Sequence, residues 1–305
     1  MSTSPLSTRP VSSERALVLG GGGAAGNAWL IGVIAGLVDA GLDVTEADLI
    51  IGTSAGSTAA AQITSATPTE LLAALLAAPS PHPTGPAESP GGRGFVGSAT
   101  DHLERTNRII AAAEDVADMR RRIGAAALRM EAAANVSVQA RWRATVAARL
   151  PSQAWPDRSL QMVAIDARTG EPVVFDRHSG VDLVDAVAAS CAGGFAYGIG
   201  DGWFIDGGYR RSSENADLAA GCRRVLVLSP LGGRTRHPRE WGTNLALQVE
   251  ELSAGGSRVE TVLPDSSALE AFGYTMMDLS RRAPAARAGY DQGRALAEEL
   301  IEFWR

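Results

Sequence analysis

The sequence predicts an α/β fold with a mainly parallel central sheet. A short apolar run at residues 16–19 leads into a glycine-rich loop and then into a helical segment at 27–40. A second apolar run, at residues 49–51, leads into Gly-x-Ser-x-Gly and a helical segment of small residues. Further apolar runs alternate with helical segments later in the chain, at residues 160–166, 203–206 and 224–229. Strands that alternate with helices in this way are joined by right-handed crossovers into a parallel sheet.

Length and local composition predict how the chain is organised. Residues 1–14 are rich in Ser, Thr and Pro without the apolar segment of a signal peptide, so we predict a disordered leader. The rest, 15–305, is long enough for one large domain with a full core. A Pro-, Gly- and Ser-rich stretch at 79–97 predicts a flexible loop. Helical spacing predicts a helical insertion at about 100–150, either a lid or a hairpin packed on the sheet, and a mainly helical extension from about 240 to 305.

The charged residues exclude several function classes. The formal net charge of −6 and the sequence pI of about 5.3 argue against a nucleic-acid-binding protein. The chain has no lysine, which excludes Schiff-base chemistry, a Walker lysine and a Ser–Lys dyad.

Cys191 and Cys222 lack CxxC spacing and are predicted to be free thiols, and the four histidines lack the paired spacing of a zinc site. We therefore expect neither a metal nor a disulfide.

The segment Gly52-Thr53-Ser54-Ala55-Gly56 predicts a sharp turn between a strand and a helix, with a serine at its apex. Gly52 and Gly56 let the strand and the helix pass closely, while a strained backbone holds the Ser54 hydroxyl clear of the main chain. The N-terminus of the following helix favours negative charge that develops nearby. Ser54 is therefore a candidate nucleophile, although the pentapeptide alone also fits an ordinary tight turn.

The glycine-rich loop after the first strand has the spacing Gly21-x-Gly23-x-x-Gly26, which also fits a dinucleotide fingerprint. That fingerprint needs an acidic residue at the end of the next strand, but the next strand ends at the Ser54 turn. A hypothesis that uses both loops is an oxyanion hole, in which the backbone amides of Gly22, Gly23 and Ala24 face the attacked carbonyl. Two alternatives stay open, a nucleotide-binding module at residues 21–26 and a glycine turn that only packs a helix on the sheet.

A third candidate is Asp206, which ends a short apolar strand and precedes Gly207 and Gly208. Open α/β sheets place their sites at the carboxyl ends of strands. Asp-Gly-Gly is also a common turn, so this motif gains weight only together with the other two.

These motifs occur in the order found in patatin-like phospholipases, and the chain resembles that family over residues 15–230, including 215–218. The resemblance implies a three-layer α/β/α sandwich. It also implies an acyl-ester hydrolase of phospholipids and neutral lipids that uses no metal or other cofactor. In the implied Ser–Asp dyad, Ser54 is the nucleophile, and Asp206 accepts its proton and later activates the water that releases the acyl group.

Two positions depart from the family pattern. Ala25 stands where the family usually has Arg or Lys, so recognition of an anionic headgroup could be weaker. Gly193 and Gly194 stand where the family often has prolines, which leaves the pocket mouth and the substrate open.

Within hydrolases, a Ser54–Asp206–His237 triad is the alternative to the dyad, because the three residues follow the α/β-hydrolase order. An aspartate base is expected to keep the enzyme active in mildly acidic solution, whereas a histidine base fails near its usual pKa of about 6.5.

The expected setting is cytoplasmic, with peripheral and transient contact to a membrane or lipid surface. The uncharged stretch 16–38 is long enough to span a membrane, but its glycines divide it into a strand and a separate helix, so we predict buried core instead. The expected partner is a lipid or other acyl-ester substrate, and no nucleic acid.

Overall fold

The computed structural model describes residues 14–78, 99–130 and 135–305. The predicted leader, apart from its last residue, and the predicted loop at 79–97 therefore lie outside the described residues.

The described residues contain one eight-stranded sheet, in which the central strands are parallel. From one edge the strand order is β5-β6-β3-β2-β1-β7-β8, and β4 pairs with β3. The strand pairs β3–β2, β2–β1, β1–β7 and β7–β8 are parallel. The pairs β3–β4, β3–β6 and β5–β6 are antiparallel. The strand bounds are β1 Arg15–Leu19, β2 Leu49–Thr53, β3 Ser159–Asp166, β4 Pro172–Phe175, β5 Tyr197–Ile199, β6 Gly202–Asp206, β7 Arg224–Leu228 and β8 Arg258–Val262. The prediction of an α/β fold with a mainly parallel sheet is confirmed.

Helices cover both faces of this sheet. Their bounds are α1 Gly23–Asp39, α2 Ala55–Ile63, α3 Pro68–Ala77, α4 Ala99–Ala112, α5 Val116–Leu128, α6 Val136–Ala147, α7 Leu183–Ser190, α8 Leu245–Ala254, α9 Ser266–Phe272 and α10 Arg282–Trp304. Alternate residues of β1 enter different cores: Leu17 and Leu19 pack with α1, α2, α7 and α10, whereas Ala16 and Val18 pack with α8. The arrangement is the three-layer α/β/α sandwich that the resemblance implied.

The predicted helical insertion forms α4, α5 and α6. Met119 and Ile123 of α5 pack with Ile165 and Ile205, at the β6 end of the sheet. Along the described parts of the chain, no helix is both long enough and apolar enough to cross a membrane.

Two elements differ from the predicted ones. Helix α1 begins at Gly23, four residues before the predicted start, so the last glycines of the loop form its first turn. Strand β5 was not predicted, because it has only three residues, Tyr197–Ile199, with a glycine in the middle.

The last helix, α10, packs against α1 at unusually short range. Gly32 and Gly36 of α1 face α10, and Gly289 and Gly293 of α10 face α1. A Cβ at Gly289 would lie 2.5 Å from the Trp29 carbonyl oxygen. The four glycines therefore let the two backbones touch, and this contact fixes the helix whose first turn is the glycine-rich loop.

Candidate active site

Ser54 lies at a sharp turn between β2 and α2, with φ of 53° and ψ of −117°. Only one other non-glycine residue among those described, Asn215, has a positive φ, and such a conformation is strained for an L-amino acid. The flanking glycines allow the close crossing: a Cβ at Gly52 would lie 2.5 Å from the Ser57 Cα, and one at Gly56 would collide with the Leu19 carbonyl. The hydroxyl of Ser54 is thus presented at the carboxyl edge of the sheet.

The register of β3 brings Asp206 beside the end of β2. Val163 of β3 pairs with Thr53 of β2 and also with β4, so β2 and β4 lie on opposite edges of β3. The next residue, Ala164, pairs with β4 and with Asp206 of β6. Strand β6 therefore continues the edge of β3 where β2 stops, and Asp206 lies beside Ser54.

The carboxyl group of Asp206 lies in an environment that favours its neutral form. Burial raises its pKa to about 6, although the Gly208 amide and the Ser54 hydroxyl both oppose that shift. The Gly208 N–H donates to Oδ1 at 2.8 Å. The other oxygen faces Gly193, where a Cβ would stand 3.8 Å away. Such a carboxylate is a stronger base than an exposed one, as a proton acceptor from serine requires.

The glycine-rich loop lies against the nucleophile. A Cβ at Gly21 would be 3.4 Å from the Ser54 Cβ. The amides of Gly20, Gly21 and Ala25 donate to the carbonyls of Leu228, Ser213 and Met276, respectively. For the amides of Gly22, Gly23 and Ala24, in contrast, the structure gives no acceptor among the residues it describes. These three amides, at the N-terminus of α1, are available to an oxyanion.

The backbone of Ser54 is held by the end of α7, a contact that sequence reasoning missed. The Ser54 N–H donates to Ser190 Oγ at 3.0 Å, and Cys191 Sγ donates to the Ser54 carbonyl at 3.1 Å. Burial raises the pKa of the Cys191 thiol, so the sulfur stays a protonated donor. In the sequence, the one feature that could have indicated this contact is the run of small residues that follows the helix. Both cysteines are free, as predicted.

Asn215 is a second residue that sequence reasoning did not include in the site. Its side-chain amide donates to Thr53 Oγ1 at 3.1 Å and to the Gly207 carbonyl at 3.0 Å. The residue is fully buried and left-handed, with φ of 54°, a conformation that Asn tolerates. Gly207 itself packs directly on β3, where a Cβ would collide with the Val163 carbonyl.

His237 is not brought to the dyad by any contact that the structure gives. Its Nδ1 lies 3.0 Å from Thr243 Oγ1, and its ring centroid is 5.7 Å from that of Trp241. Burial and, secondarily, Arg236 lower its pKa to about 4. Within the described parts of the chain, His237 has no hydrogen bond to Ser54 or Asp206.

The two departures from the family pattern have structural counterparts. Ala25, at the position of the usual basic residue, is fully buried, and its N–H donates to the Met276 carbonyl at 2.9 Å. A segment near the C-terminus therefore covers the place where a basic side chain would emerge. Gly193 lies beside Asp206 and accepts a hydrogen bond from the Tyr209 hydroxyl at 3.3 Å.

Among the described residues, no group of three or more His, Cys, Asp or Glu could hold a metal ion.

Comparison with known proteins adds a family match. A model of the family described as patatin-like phospholipase matches residues 17–220. Among solved structures, the chain is similar to VipD from Legionella pneumophila, with 13% identity and a TM-score of 0.41, over 94% of this chain and 67% of VipD. It is also similar to the type III effector protein ExoU, with 16% identity and a TM-score of 0.32, over 93% of this chain and 54% of ExoU, about half its length. No curated protein matches the chain.

Proposed function

The chain belongs to the patatin-like phospholipase family, and on this premise we propose that it is a serine hydrolase of lipid acyl esters that works through a Ser54–Asp206 dyad. The observation that carries the proposal is the pairing at β3, which sets Asp206 beside the serine that follows Thr53. The unengaged amides of the glycine-rich loop, next to the same serine, support it.

In the first half of the reaction, Ser54 Oγ attacks the ester carbonyl while its proton passes to Asp206. The negative charge on the carbonyl oxygen is stabilised by the amides of Gly22, Gly23 and Ala24, and each such donor contributes about 3–4 kcal/mol in serine hydrolases. The intermediate collapses, the C–O bond to the alcohol breaks, and the alcohol leaves with the proton from Asp206. An acyl-Ser54 ester remains.

In the second half, Asp206 accepts a proton from a water molecule that attacks the acyl-enzyme. The same amides stabilise the second oxyanion, and the proton returns to Ser54 Oγ as the fatty acid is released. These steps need one base and one oxyanion site, and no metal or cofactor enters them. The substrate is a phospholipid or neutral lipid ester, and the setting is cytoplasmic with transient contact to lipid.

The triad with His237 is the second candidate within hydrolases. Its support is the residue order alone, since the partners of the histidine ring are Thr243, Trp241 and the backbone of Arg211. The nucleotide-binding alternative rests on the glycine spacing of residues 21–26 and lacks an acidic residue at the end of β2.

The test compares p-nitrophenyl esters of short and long acyl chains with the wild type and three variants. We expect Ser54→Ala and Asp206→Asn to lose at least a thousandfold in kcat, whereas His237→Ala stays within a few-fold. A loss in His237→Ala as deep as in Ser54→Ala would establish the triad instead. Micromolar binding of NAD or ATP, with no labelling of Ser54 by a fluorophosphonate probe, would refute the hydrolase.

A further inference from the structure

Glu214 is a buried carboxyl side chain that takes no part in the reaction steps above. It has no exposed surface, and none of the ion pairs between described residues includes it. Three serine hydroxyls donate to its oxygens instead, at 2.6–2.7 Å, and they belong to Ser212, Ser213 and Ser229. A carboxyl group is costly to bury without partners of this kind. The fold has therefore built a specific place for this side chain.

One oxygen of this carboxyl group joins two separate segments of the chain. The hydroxyls of Ser213 and Ser229 both donate to Oε1, each at 2.6 Å. Ser213 lies in the segment that follows Asp206, whereas Ser229 directly follows β7. The Glu214 side chain runs beside the start of the glycine-rich loop, where its Cγ is 3.4 Å from the position of a Cβ at Gly20. We call the two joined segments the supporting segments, because both of them contact that loop.

The first supporting segment contacts the loop next to the candidate nucleophile. The Ser213 carbonyl accepts the Gly21 N–H at 2.9 Å. A Cβ at Gly21 would lie 3.6 Å from the Ser213 Cβ and 3.4 Å from the Ser54 Cβ. The backbone of Gly21 is thus packed between these two serines, so a shift of Ser213 would move the loop where it passes the nucleophile.

The second supporting segment contacts the part of the loop that carries the unengaged amides. The Leu228 carbonyl accepts the Gly20 N–H at 3.0 Å. Pro230, which follows Ser229, lies directly against the loop: a Cβ at Gly22 would be only 2.6 Å from the Pro230 Cβ. A shift of this segment would therefore displace Gly22, whose amide is one of the candidate oxyanion donors.

We propose that Glu214 is a positioning residue of the hydrolase, which holds the two supporting segments together and thereby keeps the three unengaged loop amides at the place where the oxyanion forms. Being fully buried, it does not reach the ester and acts only through Ser213 and Ser229. The oxyanion exists in the transition state and not in the bound ester, so loss of this support lowers kcat and leaves KM almost unchanged. The inference rests on the proposed function and deepens it.

The test measures steady-state hydrolysis of a p-nitrophenyl ester, with kcat expressed per Ser54 labelled by a fluorophosphonate probe. Glu214→Ala removes the acceptor of all three hydroxyls, whereas Glu214→Gln keeps one oxygen for the two serines that share Oε1. The matched control is Ser257→Ala, which also removes a buried hydroxyl, one that donates to the Cys222 carbonyl at 2.7 Å. Ser257 directly precedes β8 and so lies at the opposite edge of the sheet from the site.

A milder variant and a second measurement keep the test decisive if Glu214→Ala does not fold. Ser213→Ala removes one hydroxyl and leaves the carboxyl group with two donors. Amide hydrogen exchange of residues 20–26, followed by mass spectrometry, reports how firmly the loop is held without reference to catalysis.

We expect kcat to fall about fiftyfold in Glu214→Ala and about tenfold in Ser213→Ala, with KM within about twofold of the wild type in both. Glu214→Gln should retain kcat within about fivefold and the control within about twofold, because each leaves the link between the supporting segments in place. Exchange at residues 20–26 should be faster in Glu214→Ala and Ser213→Ala and unchanged in the control.

Unchanged kcat in Glu214→Ala and Ser213→Ala, or an equal fall in Ser257→Ala, would overturn the proposal. So would a Glu214→Gln variant as slow as Glu214→Ala, since the link would then not depend on the shared acceptor oxygen. If the wild type shows no Ser54-dependent hydrolysis, the proposed function fails, and exchange at residues 20–26 alone decides whether Glu214 holds the loop.

Discussion

The side-chain amide of Asn215 donates to the Thr53 hydroxyl at 3.1 Å, and its second hydrogen bond reaches the Gly207 carbonyl at 3.0 Å. One buried side chain therefore joins the residue before the candidate nucleophile to the residue after the candidate base. Because Ser54 follows β2 and Asp206 ends β6, this bridge fixes the distance across which a proton would pass.

We expect Asn215→Gly to lower kcat by about thirtyfold, with a smaller effect on KM. Glycine accepts the left-handed backbone, so the change removes these two hydrogen bonds, and the one that Asn215 Oδ1 accepts from Arg210, without adding strain. Loss of buried hydrogen bonds of this kind costs about 2 kcal/mol. The measurement is steady-state hydrolysis of a p-nitrophenyl ester. Asn135→Gly, which removes a cap from α6 at the surface, is the control and should leave kcat unchanged; an equal loss there would contradict the assignment.

The pH dependence of kcat/KM should report the base. Because the pKa of Asp206 is raised to about 6, we expect activity to fall about tenfold per pH unit below that value and to level off above it. This acid limit is higher than the sequence alone led us to expect for an aspartate base. The expected difference between the two bases is also the opposite of the one predicted from sequence. With its pKa lowered to about 4, a His237 base would sustain activity in acid. A midpoint near 4 in a buffered rate series would favour the histidine.

The same shift predicts how stability depends on pH. A carboxyl group whose pKa is raised in the folded protein stabilises the fold below its ordinary pKa, and this contribution is lost as the pH rises through about 6. Asp206→Asn is neutral at every pH and keeps an acceptor for the Gly208 amide. We therefore expect the variant to exceed the wild type at pH 8 in free energy of unfolding, by up to about 3 kcal/mol, with no gap near pH 4. Urea unfolding at both pH values measures this, and a gap that widens in acid would contradict it.

Gly23 allows a direct test of the oxyanion loop. Its φ is +61°, and a Cβ there would lie 2.7 Å from the Met276 carbonyl oxygen, so Gly23→Ala must move the loop amides. We expect kcat to fall about a hundredfold, the scale of a lost oxyanion donor. Gly180→Ala is the matched control, because its φ of +69° carries similar strain in open space. Steady-state kinetics and thermal unfolding of both variants separate the loss of rate from the shared cost of strain; equal kcat in both would argue against an oxyanion role.

Much of the fold could be predicted because its signals are local. The apolar runs of β1 and β2, the glycines between β1 and α1, and the turn at Ser54 are each contained in a few neighbouring residues. The contacts that complete the site are not local. Cys191 reaches the Ser54 carbonyl across 137 residues of chain, and no periodicity marks such a pairing. Likewise, nothing in the residues around Ala25 indicates that the Met276 segment covers them.

The packing of α10 on α1 should be the most sensitive part of the fold. A Cβ at Gly36 would collide with the Tyr290 carbonyl, a backbone atom that cannot move without shifting α10. Although alanine favours a helix over glycine by about 1 kcal/mol, we expect Gly36→Ala to destabilise the protein by about 2–3 kcal/mol through overpacking. Ala295→Ser, on the exposed face of α10, is the control and should change stability by less than about 0.5 kcal/mol. Because α1 begins at the glycine-rich loop, Gly36→Ala should also lower kcat. Thermal unfolding and steady-state kinetics measure the two effects. An unchanged unfolding midpoint together with an unchanged kcat would show that the two helices are not in contact at this position.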